Sequence, residues 1–513
     1  MFELQYLGHA AWLVNNDNFK ALFDPWLSPE GAFFGQWQQF PKNHHLLTPE
    51  LLEDLDFIYI SHAHEDHYDE WLLQQIDKSV PIYTADFGDK TLFENLRALG
   101  FGNVTELLPH HTATVKGVNF QILKTEDGLD SDSCIVLNDG KSCVLNLNDC
   151  HIDFTALKDL KDNIDLLLVQ TSSAIWWPCV YSYDTEEMKA LGREKRKNNL
   201  LRAAKYAEYL GAKKSIPNAG PPFFNDDRLD MWNYNKRADW NPFVLNDDAV
   251  KYFQQREIPA DLVIPGSTIV VEGSHVEVKT DPVEATALSL DADAAVDSFK
   301  AYLAEHAPAK PVATPEEIAS VVPKFAKQLT KIKKVSKLYA KQIGGSVLFD
   351  FQECGKWLLD FANDPPLTPY EGEDVVYSFN FDPNSVALLF REKAIDFERY
   401  FLGCNFRCHR EPDTYNHFLF AMLKHFDTKR FITSENIYIR NDRGLLEETF
   451  LCTHKSATYE VQKYCPHMLA NLEEIGFINE DDHLVCPLHG WKFDLETGRS
   501  VDKNNACVKI RKV

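Results

Sequence analysis

The feature that most constrains this chain is a short run in which an apolar strand gives way to a cluster of histidines and carboxylates. The run reads Phe57-Ile-Tyr-Ile-Ser-His-Ala-His-Glu-Asp-His67. Its four leading apolar residues predict a short buried strand. Because successive side chains of an extended segment point to opposite faces, His62 and His64 lie on one side and can reach the same metal ion.

Two more potential ligands follow where the chain should leave this strand. Asp66 and His67 can turn toward the same ion or toward a second one. Imidazole and carboxylate without thiolate suit zinc, iron or manganese rather than a soft metal. A polar loop after a buried strand is the alternative interpretation, but the density of ligand residues favours a metal site.

Length and patterning predict three domains. A chain of 513 residues is too long for one hydrophobic core. Over residues 1–280, short apolar runs alternate with helical segments, which indicates an α/β layered domain. Residues 281–434 predict a mixed, largely helical α/β middle region. Residues 435–513 predict an all-β domain whose first strand is Ile437–Ile439.

One long helix is predicted over residues 185–210, and it carries a row of basic side chains. A solvated face is the default interpretation of such a row, and attraction of an anionic substrate is the alternative. The basic residues of this helix are Arg193, Lys195, Arg196, Lys197, Arg202 and Lys205.

Composition narrows the classes of function. The formal net charge of −24 disfavours nucleic acid as a partner, since a phosphate backbone requires a basic surface. The sequence has no apolar run of membrane-spanning length and no signal-peptide pattern at its start, which predicts a cytoplasmic protein without membrane association. The eleven cysteines form no disulfide framework and are expected to be reduced. A homo-oligomer is compatible with all of these features.

Two cysteine–histidine pairs in the C-terminal region predict a second metal centre. Cys465-Pro-His467 is followed, after eighteen residues, by Cys486-Pro-Leu-His489. One cysteine and one histidine on each of two loops is the ligand set of a Rieske [2Fe–2S] cluster. A zinc finger would instead pair its cysteines closely and its histidines closely. The segment from His489 to Gly498 also resembles the Rieske family.

The first 280 residues resemble the metallo-β-lactamase superfamily. Besides the histidine run, the resemblance rests on the segments Tyr6-Leu-Gly-His9 and Leu22-Phe-Asp-Pro25, which look like the first strands of that fold. It implies an αβ/βα sandwich whose loops hold one or two metal ions. Carried over position by position, it gives the metal ligands His62, His64, Asp66, His67 and Asp149.

The remaining ligands of that superfamily are histidines that this chain lacks. The loop that normally carries the third histidine spans residues 126–132 here, so Asp130 is the candidate ligand and Asp127 the second choice. The last histidine would fall near Asn218, which is a poor ligand. Both departures fit an iron site with vacant positions better than a two-zinc hydrolase. The spare candidates are His110, His111 and His151.

A closer resemblance links the two metal centres. Several segments are similar to the CMP-N-acetylneuraminate hydroxylase family, which joins a Rieske domain to a metallo-β-lactamase-like domain and hydroxylates a nucleotide-linked sialic acid. The Rieske module is C-terminal here, whereas an N-terminal one is expected in that family. The similar segments are Asp127-Gly-Leu-Asp-Ser-Asp-Ser-Cys134, Leu147-Asn-Asp-Cys150, Lys195-Arg-Lys-Asn-Asn-Leu-Leu201, Ile216-Pro-Asn-Ala-Gly220 and Arg410-Glu-Pro-Asp-Thr-Tyr-Asn-His417.

The combination predicts a Rieske-coupled non-heme iron monooxygenase with one or two iron ions. Zinc activates water by charge alone, and a fused electron carrier makes chemical sense if the other metal is redox-active. O2 would then oxidise a small polar substrate at carbon or nitrogen, with Asp66 or Asp130 moving protons. Electrons would leave the cluster through His467 or His489. Since no Gly-x-Gly-x-x-Gly follows a strand, the donor is expected to be a ferredoxin or a reductase.

Two alternatives belong to other classes of protein. A zinc hydrolase whose Rieske domain serves redox regulation would cleave its substrate without a reductant. A non-enzymatic electron carrier, whose N-terminal domain only docks a partner, would keep its function after the loss of His62 and His64.

Overall fold

The computed structural model of the chain divides into two compact units. The first contains residues 1–125, 132–174 and 189–309, and the second contains residues 175–188 and those from 310 onward. The structure describes residues 1–88, 90–125, 132–281, 291–391, 395–441, 445–467 and 469–513.

The first unit is built from strands in two main sheets, with helices between them in sequence. The strands are β1 (Phe2–Gly8), β2 (Ala11–Asn16), β3 (Phe19–Phe23), β4 (Trp37–Gln39), β5 (Phe57–Tyr59), β6 (Ile82–Ala85), β7 (Val104–Leu107), β8 (Thr112–Val115), β9 (Val118–Lys124), β10 (Ser133–Asn138), β11 (Cys143–Asn146), β12 (Leu166–Gln170), β13 (Lys214–Asn218), β14 (Pro222–Phe224), β15 (Thr268–Glu272) and β16 (His275–Lys279). The helices are α1 (Pro49–Leu52), α2 (Glu70–Leu73), α3 (Thr91–Ala98), α4 (Thr185–Leu210), α5 (Asp230–Asn233), α6 (Asn246–Gln255) and α7 (Ala292–His306), with 3₁₀ turns at His44–Leu46, Phe154–Leu160 and Asp227–Leu229. The first four residues of α4, 185–188, are assigned to the second unit.

The sheets of this unit mix parallel and antiparallel strands. The larger has the order β16-β15-β1-β2-β3-β5-β6-β7 and the smaller the order β13-β12-β11-β10-β9-β8, while β14 pairs with β4. Strands β3, β5, β6 and β7 run parallel, and so do β11, β12 and β13. Because the carboxyl ends of parallel strands meet at one edge, the loops that follow these strands are brought together there.

One apolar core joins the faces of the two sheets. Phe57 on β5 stacks against Phe120 on β9 with ring centroids 4.8 Å apart. The Tyr59 hydroxyl is 2.9 Å from the Ser133 hydroxyl at the start of β10. All four side chains are buried, so β5 is held in the interior of the sandwich and its carboxyl end presents the histidine run. The predicted α/β sandwich is confirmed.

The second unit contains the middle region and the C-terminal region. Its helices are α8 (Pro315–Ala319), α9 (Val321–Val335), α10 (Tyr339–Gln342), α11 (Pro383–Leu389), α12 (Phe397–Leu402), α13 (His417–Lys424), α14 (Thr428–Asn441) and α15 (Leu472–Ile475), with 3₁₀ turns at Gln352–Cys354 and Leu445–Glu447. Its strands are β17 (Val347–Asp350), β18 (Lys356–Leu359), β19 (Leu367–Pro369), β20 (Tyr377–Phe381), β21 (Phe406–Arg410), β22 (Thr449–His454), β23 (Ala457–Gln462), β24 (Phe477–Ile478), β25 (His483–Cys486), β26 (Trp491–Asp494) and β27 (Ile510–Lys512).

These strands form one sheet in the middle region and two in the C-terminal region. The middle sheet has the order β19-β18-β17-β20-β21, and it packs with helices as a mixed α/β layer. The C-terminal sheets have the orders β22-β23-β27 and β24-β25-β26. The mixed middle region and the β-rich C-terminal domain agree with the predicted fold class.

The strand predicted at Ile437–Ile439 was wrong, because these residues belong to the helix α14. Glu435 on this helix is 1% exposed, and its carboxylate accepts hydrogen bonds from the backbone N–H groups of residues 337–339. Phe431 and Tyr438 pack against Tyr339 at spacings of four and three residues from Glu435, which is a helical period. Tertiary packing of that face decides the conformation over the β preference of isoleucine.

Among the described residues, no helix has both the length and the apolar character needed to cross a bilayer.

Replacing Phe57 by alanine is expected to lower the free energy of unfolding of the first unit by about 3–5 kcal/mol, because it opens a cavity between the two sheets. Denaturant titration followed by tryptophan fluorescence measures the loss. Leu108→Ala is the control, since Leu108 is 47% exposed, and it should change stability by less than about 0.5 kcal/mol. Equal effects of the two substitutions would contradict the packing described here.

Candidate metal centres

The three histidines of the run converge at the carboxyl end of β5. Nε2 of His62 lies 2.7 Å from Nδ1 of His64, and the two ring centroids are 4.4 Å apart. The His67 ring is 4.3 Å from that of His62. His62 and His67 are buried, while His64 is half-buried. Three and five residues after the end of β5, His62 and His64 therefore share one side of the chain, as the extended spacing predicts.

His67 is the most constrained of these rings, because each of its nitrogens faces a carboxylate. Its Nδ1 lies 3.0 Å from Oδ2 of Asp24, which also accepts the backbone N–H of Ser61 through Oδ1. Its Nε2 is 3.4 Å from Asp149 and 3.7 Å from Asp66. With Nδ1 donating to Asp24, Nε2 is left facing the two carboxylates that point into the site.

The structure adds His9 to the site. The sequence analysis did not assign this residue as a ligand. His9 follows Gly8 in the β1–β2 turn, where both residues have positive φ angles and the strand register shifts. The turn places His9 Nε2 2.9 Å from Oδ2 of Asp66 and its ring 5.6 Å from that of His67. A polar residue directly after a buried strand, preceded by glycine, was the available sequence signal.

Two groups of side chains in this region can each hold a metal ion. One consists of His9, Asp66 and His67, and the other of His62, His67 and Asp149; in each group the ligand atoms lie within 4.8 Å of one another. Nε2 of His67 and one oxygen each of Asp66 and Asp149 are buried without a hydrogen-bond partner among the described residues. Buried polar atoms normally find partners, so converging atoms of this kind fit a bound cation.

Electrostatics support the same interpretation. Burial opposes protonation of His67, but the surrounding carboxylates, Asp149 first among them, raise its pKa well above the ordinary value. Burial also opposes ionisation of Asp66, but the charge of His67 and the hydrogen bond from His9 lower its pKa to about 2. The carboxylates thus hold a positive charge in their midst even without a metal, and a metal ion would replace that proton.

The loop predicted to supply the remaining ligand is only partly described. Asp130 and the second choice, Asp127, lie outside the described residues, so their roles as ligands stay predictions. The next residue described in that loop is Asp132, whose Oδ1 is 3.2 Å from Nδ1 of His62. At the end of β13, Asn218 is fully buried, and neither side-chain atom has a hydrogen-bond partner among the described residues.

The spare histidines divide into two groups. His110 and His111 are exposed in the connection between β7 and β8. His151 is half-buried, with Nε2 3.0 Å from Oε1 of Gln170 at the end of β12. Burial and the charge of Arg202 lower the pKa of His151 to about 3, so its ring is neutral. His151 therefore lies beside the metal site and is not assigned as a ligand.

The C-terminal pairs lie on two loops with the same backbone turn. The N–H of Leu469 donates to the carbonyl of Cys465, and that of Gly490 donates to the carbonyl of Cys486, four residues apart in both cases and at 3.0 and 2.9 Å. Leu469 and Gly490 both have positive φ angles. Each loop therefore closes in the same way behind its cysteine.

The side chains on these loops fit a Rieske cluster. Both cysteines are reduced and about 1% exposed, which suits thiolates that hold an inner iron. His467 and His489 are half-buried, and their ring centroids lie 4.6 Å apart. Trp491 stacks on His467 with ring centroids 4.0 Å apart, which fixes that imidazole. The thiolate end of the ligand set is thus buried, and the imidazole end is half-exposed.

Comparison with known families agrees with both centres. A model described as a beta-lactamase superfamily domain matches residues 3–194, and a Rieske [2Fe–2S] domain model matches residues 435–512. The chain joins a metallo-β-lactamase-fold domain to a Rieske [2Fe–2S] domain. Between them, residues 321–440 match a model described as Rv3818-like, SCP2-like domain.

Relatives share this combination to different extents. A Rieske 2Fe-2S iron–sulfur protein of Mycolicibacterium smegmatis is 28% identical over 539 residues, covering 100% of both chains. The cytidine monophosphate-N-acetylneuraminic acid hydroxylase of Mus musculus is 30% identical over 154 residues, covering 29% of this chain and 26% of its own. A cholesterol 7-desaturase of Ciona intestinalis is 40% identical over 72 residues, covering 14% and 13%. The resemblance to the sialic acid hydroxylases is confirmed as a distant one.

Asp24→Asn is expected to weaken metal binding at the N-terminal site about 10–100-fold, because the neutral amide no longer fixes and polarises the His67 ring. Competition with a chelator measures the affinity. Asp159→Asn, a change at an exposed carboxylate of the same unit, should leave the affinity unchanged. An unaltered affinity in Asp24→Asn would exclude this orienting role.

Cys486→Ser is expected to abolish the visible absorption and the electron paramagnetic resonance signal of the Rieske cluster, because a thiolate ligand is lost. Cys507→Ser is the matched control in the same domain, since Cys507 is exposed and lies outside both ligand loops. If the serine at 486 left the spectrum intact, the ligand assignment would be wrong.

Proposed function

We propose that this protein is a Rieske-coupled non-heme iron monooxygenase. It inserts one oxygen atom from O2 into a small polar substrate, by hydroxylating an N-acyl sugar or nucleotide sugar or by oxidising a metabolite at nitrogen or carbon. The observation that carries the proposal is the presence, in one chain, of an electron carrier's ligand loops and of a separate imidazole–carboxylate site without thiolate.

The chemistry of the two ligand sets supports an oxidative role over a hydrolytic one. A hydrolytic zinc site needs no electrons, because zinc activates water through its charge. When bound, iron at such a site activates O2 reductively, and a Rieske cluster supplies single electrons at a potential of roughly −150 to +300 mV. The names of two partial relatives, a hydroxylase and a desaturase, denote oxidative reactions as well.

The residues of this chain have distinct tasks in the proposal. His62, His64 and His67 hold the metal, and Asp24 keeps His67 in the tautomer whose Nε2 faces the centre. Asn218 stands where a further histidine ligand is expected, and as a poor ligand it would leave a position open at a bound metal. Asp66 is a ligand or a proton acceptor, with one oxygen held by His9. For Asp130 we propose the same two roles, metal ligand or proton acceptor.

The proposed partners follow from the electrons and reactants that the proposed reaction requires. The half-exposed imidazoles of His467 and His489 are the proposed point of electron entry or exit. The donor is proposed to be a ferredoxin or a reductase, and the other reactants are O2 and a small-molecule substrate.

His64→Ala is expected to stop substrate-dependent O2 consumption while the cluster is still reduced normally, because only the N-terminal metal loses a ligand. Consumption is measured with an oxygen electrode, a surrogate ferredoxin system and a panel of N-acetylated and amine-bearing metabolites, and cluster reduction is followed by absorbance. His111→Ala is the control, an exposed histidine of the same unit. Both variants are compared at equal cluster content.

Two results would contradict the proposal. Zinc alone in the N-terminal site, with bond cleavage that needs no reductant, would establish the hydrolase. Unchanged reductant oxidation in His64→Ala, with no dependence on any substrate, would point to a simple electron carrier.

A further inference from the structure

A second polar cluster lies on the face of α4 that is turned toward the ends of the smaller sheet. Lys195, Asn199, Arg202 and Tyr206 follow one another at spacings of four and three residues, so they share one face of the helix. Asn199 and Arg202 are only 2% and 3% exposed. The Tyr206 hydroxyl donates to the backbone carbonyl of Ile152, three residues after Asp149. Asn199, Arg202 and Tyr206 are therefore inside the unit, and Lys195 at the end of the face is half-buried.

Hydrogen bonds tie the helix face to the end of β12. Arg202 Nη2 donates to Oε1 of Gln170 at 3.4 Å, and Nε2 of His151 is 3.0 Å from the same oxygen. Asn199 Nδ2 donates to the hydroxyl of Ser173 at 2.6 Å. Because β11 and β12 are parallel neighbours, the residues after β12 lie beside the loop that carries Asp149.

The charge of Lys195 has no counterpart within hydrogen-bond or ion-pair distance among the described residues. Loss of water around its ammonium group, together with repulsion from Arg202, lowers the pKa of Lys195 to about 8, so it is still mostly protonated at neutral pH. A cation taken out of water is stable only when a negative group accompanies it.

Buried hydrogen-bonding groups line the adjoining strand ends without partners. The hydroxyls of Thr171 and Ser172 and the side-chain amides of Asn148 and Asn218 are each at most 1% exposed, and none makes a hydrogen bond to another described residue. Hydroxyl and amide groups donate to oxyanions. They lie at the end of β13 or just after β11 and β12, which places them at the same sheet edge as the metal ligands.

We propose that Lys195, Asn199 and Arg202, together with the hydroxyls of Thr171 and Ser172, form a site that binds the carboxylate or phosphate group of the substrate beside the metal centre. The proposal rests on the proposed function, which requires a substrate at the metal centre. It restricts that substrate to small molecules with an anionic group. The attraction for an anion must come from this local group of side chains, because the formal net charge of −24 repels anions from the protein as a whole.

The test is the binding of simple anions to the metal-loaded protein, measured by isothermal titration calorimetry without reductant or O2. Inorganic phosphate and acetate are titrated separately. The wild type should bind at least one of them, and Lys195→Met should weaken that binding about tenfold or more, since a charge-assisted contact is lost. The anion with the larger response identifies the source of the group.

Two controls separate charge from folding. Lys197→Met removes an exposed cation of the same helix and should leave the affinity unchanged. Lys195→Arg keeps the charge and should retain binding within a few-fold. Equal affinities of Lys195→Met and Lys197→Met, or no binding of either anion to the wild type, would overturn the proposal. Since the assay needs no turnover, failure of the oxygenase proposal leaves this result unaffected.

Discussion

The ring of His67 lies among three carboxylates in the interior of the first unit, and the rest of the N-terminal site is arranged around it. Asp24 holds one ring nitrogen, while Asp66 and Asp149 face the other. His67 is the residue shared by both groups that can hold a metal. So many like charges in a dry region are stable only with a cation among them, and a protonated His67 or a bound metal ion would supply it.

The two ligand sets divide the chemistry of the chain. The Rieske loops close behind their cysteines with equivalent turns, bury the thiolates and leave the imidazoles half-exposed, which suits a carrier that must exchange electrons. The N-terminal site is buried and rich in carboxylates, and it is surrounded by polar groups that have no hydrogen-bond partner in the part of the chain that the structure describes. That environment suits a reaction centre that receives electrons and a polar substrate.

The local part of the site could be predicted from the sequence, because His62, His64 and His67 lie within six residues after one strand. Asp149 was expected from its place after an apolar strand and from a family resemblance. The parts contributed by His9 and Asp24 were missed. These residues come close to the histidine run only because β1, β2, β3 and β5 are neighbours in one sheet. The mixed character of the middle region was predicted, but the individual strands of its five-stranded sheet were not, because strands this short give no clear period-two pattern.

Mössbauer spectroscopy of iron-enriched protein tests the central claim most directly. The account predicts the spectrum of a Rieske cluster together with a separate high-spin iron component bound by nitrogen and oxygen. That component should become ferrous when the protein is reduced without air, and should be reoxidised on exposure to O2. A spectrum containing the cluster alone, with zinc accounting for the metal of the N-terminal site, would contradict the account.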